Sequence, residues 1–186
     1  MEWLISAGLL VAVAAWVAGV CHRLQVLRTE VRGAWADWLA DTRRRNESVE
    51  ALAESVSVRL PSGEMLPRTL RRLVTDSERS LRGGEELLWA AEEETTTTEG
   101  ELRRAACLAA HRVEETDSLR EDKRLCALCE QLLHTLERQE QSARRFNLAA
   151  ESYHAALQEP PVQLLASSLG FLQVAVLPLM QNAREP

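Results

Sequence analysis

Apolar and polar positions follow several distinct patterns along the chain. Between Trp3 and Cys21 there is no charged residue, and sixteen of the nineteen positions are apolar. After that segment, Leu24, Leu27, Val31, Trp35, Trp38, Thr42, Arg45, Val49, Leu52 and Val56 recur at steps of three and four. Such spacing gathers these positions on one helix face, with a local stutter where two four-residue steps follow Leu27. One helix is expected from the apolar segment to about Arg59, with Pro61-Ser62-Gly63 as its break. A second amphipathic stretch follows Pro67, with Leu70, Leu73, Val74, Ser77 and Leu81 on one face. Gly83-Gly84 should weaken or kink it, and Leu87, Leu88, Ala90 and Ala91 carry it to about Glu92.

Glu92–Gly100 is acidic and threonine-rich, and it reads as a solvated loop. Its end carries a capping box, Thr98-x-x-Glu101, which starts a helix expected to run to about Glu115. Ser118-x-x-Glu121 is a second capping box at the start of the last long helix. In that helix Leu125, Leu128, Leu132, Leu136, Gln139, Ala143, Phe146, Ala150, Tyr153 and Leu157 repeat the three-four spacing up to Pro160-Pro161. Two long helices, each about 55–60 Å, bracket two shorter ones. The simplest packing is all-α, an antiparallel up-down-up-down four-helix bundle spanning residues 22–160.

At 1.5 Å per residue the segment from Trp3 to Cys21 is about 28 Å long, close to the hydrocarbon thickness of a bilayer. A cleaved signal peptide wants a basic start and a small-x-small exit, whereas Met1-Glu2-Trp3 has no Lys or Arg. A lipoprotein would place a small residue before its cysteine, and Val20 precedes Cys21. A retained transmembrane anchor over residues 1–21 fits best. Residues 22–45 hold six arginines against Glu30, Asp37 and Asp41. That net +3 makes the following side cytoplasmic by the positive-inside rule, with the N-terminus outside the cell membrane. An antiparallel last helix then returns Pro160 to the bilayer. Residues 160–183 carry no charge. Residues 161–186 therefore form an apolar C-terminal segment, read either as a short helix packed on the bundle or as a segment at the membrane surface. A second span is disfavoured by Gln163, Gly170, Gln173 and Pro178.

Composition adds to this picture mainly by exclusion. Leu, Ala, Glu, Arg and Lys number 30, 25, 23, 21 and 1 of 186 residues, which is the usage of long helices. A single Ile and a single Tyr argue against sandwiches, barrels and doubly wound nucleotide folds. The total charge is −6; with Glu2 at −1 and residues 22–45 at +3, residues 46–186 carry −8, which disfavours nucleic acid. The Arg68, Arg71, Arg72 cluster reads as a solvated face. Gly83-Gly84 lacks the lysine and preceding strand of a phosphate loop.

Three sets of residues carry candidate chemistry. Arg45 stands at a core-spaced position, where a charge needs a partner. Counting antiparallel from Leu24 opposite Leu157 puts it near Leu136, with Glu137 and Glu140 in reach. Cys126-x-x-Cys129 with His134, and Cys107-x-x-x-His111 on the preceding helix, are donors that antiparallel neighbouring helices could bring together as a Cys/His metal site. They match neither a zinc ribbon nor the strand–helix context of a thioredoxin motif, and i,i+3 cysteines of a Leu-rich helix are commonly small buried core residues. No cofactor is called for. Asn147 and Tyr153 read as an amide and a phenol satisfied across the bundle.

These pieces, in this order, resemble the LemA family of bacterial membrane proteins. Arg44-Arg45-Asn46-Glu47-Ser48-Val49-Glu50-Ala51-Leu52-Ala53-Glu54-Ser55-Val56 is similar to the family stretch RRxDLIPNLVETV, with Glu50 and Ala51 in place of its Pro and Asn. Ala143-Arg144-Arg145-Phe146-Asn147 resembles the family's ARxxYN block, and Tyr153-His154 stands where a Tyr-Asn pair is usual. Leu164–Phe171, with Gly170-Phe171, resembles the proline-led tail. The similarity spans roughly residues 30–172 and is weak from 60 to 118. It implies a single anchor, an external N-terminus, a cytoplasmic helical bundle and no established catalytic activity. On this resemblance Arg44, Arg45, Arg145, Asn147, Tyr153, Gly170 and Phe171 are structural motif positions. The function expected is a non-catalytic scaffold or adaptor at the inner membrane face. Alternatives are a ligand- or signal-sensing bundle and a Cys/His metal-binding protein. Candidate partners are the lipid bilayer through residues 3–21, one or more proteins, and a second copy of the chain.

Overall fold

A computed structural model describes residues 2–59, 65–83, 88, 93–163, 166, 170–174 and 176–177. Among them every regular element is helical: α1 (Glu2–Ser57), α2 (Leu66–Ser80), α3 (Glu93–Glu115), the single turn α4 (Asp117–Arg120) and α5 (Lys123–Gln158). α1 is continuous for 56 residues and α5 for 36. α1 is long and apolar enough to cross a membrane, and its most apolar window is nowhere buried within the chain.

α1 and α5 pack along one another. Arg23 of α1 pairs with Glu159 just beyond α5, Asp41 with Arg138, Thr42 with Gln139, and Arg59 beyond α1 with Asp122, the residue before α5. Rising numbers along α1 therefore meet falling numbers along α5. The heptad spacing explains this contact: nine of the ten core-spaced positions of α1 are buried, and Leu27 is half-buried. Among the described side chains of α1, the first buried one is Leu24.

The interior consists of two apolar clusters. One joins Val49, Leu52 and Val56 of α1 to Leu70 and Val74 of α2, Leu102 to Val113 of α3, and Leu125, Leu132 and Leu136 of α5. The other joins Leu24, Val31, Trp35 and Trp38 to Ala143, Phe146, Ala150, Tyr153 and Leu157. In this second cluster the rings of Trp35 and Trp38 on α1 meet alanines and the rings of Phe146 and Tyr153 on α5. Trp35 lies 4.8 Å from Trp38 and 5.3 Å from Phe146 in tilted contacts, geometries that suit the ring quadrupoles. Among the described residues, α2 and α3 supply no buried residue to it; Leu88, Val162, Ala166 and Val174 close it instead. Full burial of one Leu or Val side chain stabilises by about 1.5–3 kcal/mol.

Several sequence expectations are corrected here. Residues 93–100 are the first turns of α3, not a solvated loop, so Thr98 lies inside a helix and does not cap one. Threonine's modest helix propensity is overridden by tertiary contact, because Glu99 in this stretch is drawn onto Arg45. The second helix ends at Ser80 instead of about Glu92; its expected continuation through Leu87, Ala90 and Ala91 lies outside the described residues. α5 is capped by Asp122, which accepts from the Arg124 and Leu125 amides, and Ser118 sits within α4. The Leu125 amide above all, with the Arg124 amide and Arg59, outweighs desolvation and holds the Asp122 carboxyl below the usual range. The C-terminal segment is helical at Val162, Gln163 and Ala166 but irregular at 170–174 and 176–177. Its described end lies on α5, where Leu177 meets Asn147. Pro178 to Pro186 lie outside the described residues.

Candidate functional site

Between the two apolar clusters lies a polar layer built from four helices. Arg45 is 1% exposed. Its guanidinium grips Glu99 of α3 with two bonds, Nη1 to Oε2 at 2.5 Å and Nη2 to Oε1 at 3.2 Å. Nη1 also donates to Gln139 of α5 at 3.1 Å, and Nη2 to Asn46 at 2.6 Å and Ser77 of α2 at 3.3 Å. Nε donates to Asn46 at 3.2 Å. Glu99 accepts further bonds from Ser77 Oγ at 2.6 Å and Gln139 Nε2 at 3.0 Å, and Gln139 also donates to Thr42 at 3.1 Å.

Burial on its own pushes the Glu99 carboxyl upward; Arg45, Ser77 and Gln139 together outweigh it and hold the group below the usual range. The partner foreseen for Arg45 was Glu137 or Glu140. Glu137 is exposed, and Glu140 instead bonds Arg103 at 2.5 Å and Arg144 at 2.7 Å. The physical reason is register: Arg45 lies opposite Gln139, and the acid comes from a third helix. A buried ion pair of this kind stabilises little relative to an apolar layer, but losing one partner strands a charge. The layer gives each helix one register in which its polar groups are satisfied.

A second polar constellation lies on α5 where the C-terminal segment docks. The Asn147 side-chain amide donates to the Leu177 carbonyl at 2.7 Å and accepts from the Leu177 amide at 2.9 Å. His154 Nε2 accepts from the Val174 amide at 3.0 Å. Asn147 is thus satisfied by main chain and not across the bundle as expected. Gly170 has φ +72°, a conformation that strains L side chains, and the Phe171 amide bonds back to Ala166 at 3.0 Å. Tyr153 is fully buried, and its hydroxyl meets no hydrogen-bond partner among the described residues, contrary to expectation. Burial pushes this phenol up, partly offset by Arg28 and Arg32.

The other motif positions are not drawn together. Arg44 bonds Asp41 at 3.1 Å from a largely exposed position, and Arg145 is exposed. Among the metal candidates, Cys107 and His134 are exposed, Cys126 is half-buried and Cys129 buried. His111 pairs with Glu115 at 3.2 Å. No group of three or more His, Cys, Asp or Glu able to hold a metal is found among the described residues. Burial first, then nearby Cys126 and Glu114, pushes the Cys129 thiol up to about 11, the opposite of what a thiolate ligand needs.

A cleft of about 160 Å³ lies where Trp16, Val20 and Leu24 of α1 face Ala156, Glu159 and Pro160 at the end of α5. The Arg23–Glu159 pair, with bonds of 2.8 and 3.0 Å, lines it.

Glu99 and His154 were not singled out from sequence. The layer itself had a signal: Thr42, Arg45, Ser77 and Gln139 are the polar residues standing at core-spaced positions. Glu99 had none, because its threonine-rich surroundings read as loop. No family model matches the chain, and no curated protein matches it in sequence.

Proposed function

We propose that the chain is a single-pass, membrane-anchored antiparallel four-helix bundle of LemA type, acting as a non-catalytic scaffold or adaptor at the inner membrane face. Residues 3–21 cross the cell membrane with the N-terminal end outside, and the bundle stands in the cytoplasm. The observation that carries this reading is the abrupt change along α1. Up to Arg23 no described residue is buried, although the stretch from Trp3 to Cys21 is almost wholly apolar; from Leu24 one face is buried at helical spacing. An apolar surface exposed all round a helix is stable in lipid and costly in water. The counter-running contacts of α1 with α5, and of α1 with α2 where Ser57 meets Arg71 and Arg45 meets Ser77, support the antiparallel bundle. Consumption of the Arg45, Glu99 and Gln139 bonding groups by one another favours a structural role for the most polar part of the interior.

Such a protein works by holding a partner at the bilayer. Proximity labelling from a C-terminal fusion in the native host is expected to return a reproducible, restricted set of membrane-associated neighbours. A neighbour set indistinguishable from that of an unrelated anchored fusion contradicts the scaffold reading. A second reading, a signal-sensing bundle, draws on one feature: unbroken α1 joins the span directly to the Arg45 layer, so a shift of the span would act on that layer. Mutations of Arg45 that alter a signalling output without altering neighbour recruitment favour this second reading.

A further inference from the structure

The second apolar cluster lacks the cover that α2 and α3 give the first, and the chain's own C-terminal segment provides it. Val174 is 5% exposed within that cluster, and Phe171 and Leu177 pack against it half-buried. Leu172, Gln173 and Val176 face outward. The residues at 171, 174 and 177 thus turn inward at a spacing of three, the period of an extended, polyproline-II-like chain. The spacing of contacts agrees. Val174 meets His154 and Leu177 meets Asn147, so three tail residues cover seven residues of α5. Seven helical residues rise about 10.5 Å and three extended residues span about 10 Å, so an extended tail with the reach of the His154 and Asn147 side chains makes both contacts.

Among the described residues, the bonds from Asn147 and His154 to the tail are to its main chain. Asn147 presents a donor and an acceptor to the C=O and N–H of one residue, Leu177, as a sheet edge does, and His154 presents one more acceptor. In recognition of extended peptides, main-chain bonds give affinity and pockets for selected side chains give selectivity. Here the second apolar cluster receives the residues at 171, 174 and 177.

We infer that this face of α5 is a peptide-binding site for an extended segment of a partner protein with apolar residues at every third position, and that residues 171–177 occupy it as a built-in competitor. This rests on the scaffold reading and supplies its docking site. The occupant's chemistry follows from the segment already seated there: an uncharged, extended chain, since no charged residue lies between Pro160 and Ala183.

The test uses the full chain in detergent micelles and a fluorescent synthetic peptide with the sequence of residues 170–178. Leu177→Pro in the chain removes the N–H that Asn147 accepts while leaving every helix unaltered, which circular dichroism verifies. The expected result is peptide binding about tenfold tighter to Leu177→Pro than to wild type, the worth of one to two hydrogen bonds lost by the competitor. A peptide with Pro at the position of Leu177 binds about tenfold more weakly, and so does the original peptide to a chain carrying both Leu177→Pro and Asn147→Ala. Absence of binding to the folded Leu177→Pro chain overturns the inference, as does binding indifferent to both the peptide proline and Asn147→Ala. A wild-type dimer that exchanges tails and is insensitive to peptide also overturns it, since the occupant is then a second copy. Membrane attachment is not read by this assay, so its failure leaves the anchor to be judged separately.

Discussion

The two parts of α1 share one unbroken helix but not one burial pattern. Around Leu9, Leu10, Val11 and Val13 the side chains are 50–71% exposed, and among the described residues nothing buries them. Around Val49, Leu52 and Val56 they are at most 1% exposed, and three other helices cover them. The first part is apolar on every side, whereas the second is apolar on one stripe and charged on the rest. Apolar content alone therefore does not determine burial within a chain. Periodicity does, by selecting which face a neighbouring helix covers, and a helix without periodicity requires an apolar solvent.

If that contrast is right, each part can be broken without the other. The largest effect is expected from Leu10→Arg with Val13→Arg, each costing insertion about 2.5–3.5 kcal/mol. The doubly substituted chain should leave the membrane fraction on carbonate extraction, while the denaturation midpoint of the bundle stays at its wild-type value. Next is Arg45→Ala, which strands the Glu99 charge and should cost the bundle about 3–5 kcal/mol in denaturant unfolding, with membrane retention unchanged. Replacing the pair by Met and Leu should recover most of that loss. Leu52→Ala, in the apolar cluster beside the layer, should cost about 2–5 kcal/mol by transfer and cavity formation, again without affecting retention.

Acid gives a smaller and more selective effect. The Glu99 pKa is lowered in the folded chain, so the stability it contributes is present in full above the unfolded carboxyl pKa of about 4.3. That contribution falls away as the pH drops through the folded value, because the unfolded chain binds the proton first. Glu99→Gln should flatten this part of the pH–stability curve below about pH 4.3. The smallest effect is expected for Arg23→Ala. Its pairing with Glu159 raises the guanidinium pKa, yet both side chains are about half exposed, and such pairs contribute little to stability. A denaturation curve overlying wild type is the expected outcome.

Much of the helical frame was legible in the sequence, because core spacing is a local property of the chain. The buried faces of α1 and α5 can be read from Leu24 to Val56 and from Leu125 to Leu157, and Thr42, Ser77 and Gln139 mark the polar layer. Glu99 was hidden because its helical state depends on Arg45, 54 residues away. The tail contact was hidden for the same reason: Asn147 finds its partner 30 residues later through main-chain atoms, which no side-chain pattern announces. Asp122 rather than Ser118 caps α5 because a carboxylate that also reaches Arg59 offers two amides a charged acceptor.

The central claim is that α1 crosses the bilayer and leaves the bundle in the cytoplasm. The most direct measurement is a pair of topology reporters fused in turn after Arg184 in the native membrane. The account predicts activity from the reporter that works only in the cytoplasm and silence from the one that works only outside it. Activity of the external reporter, with the cytoplasmic one silent, would contradict it.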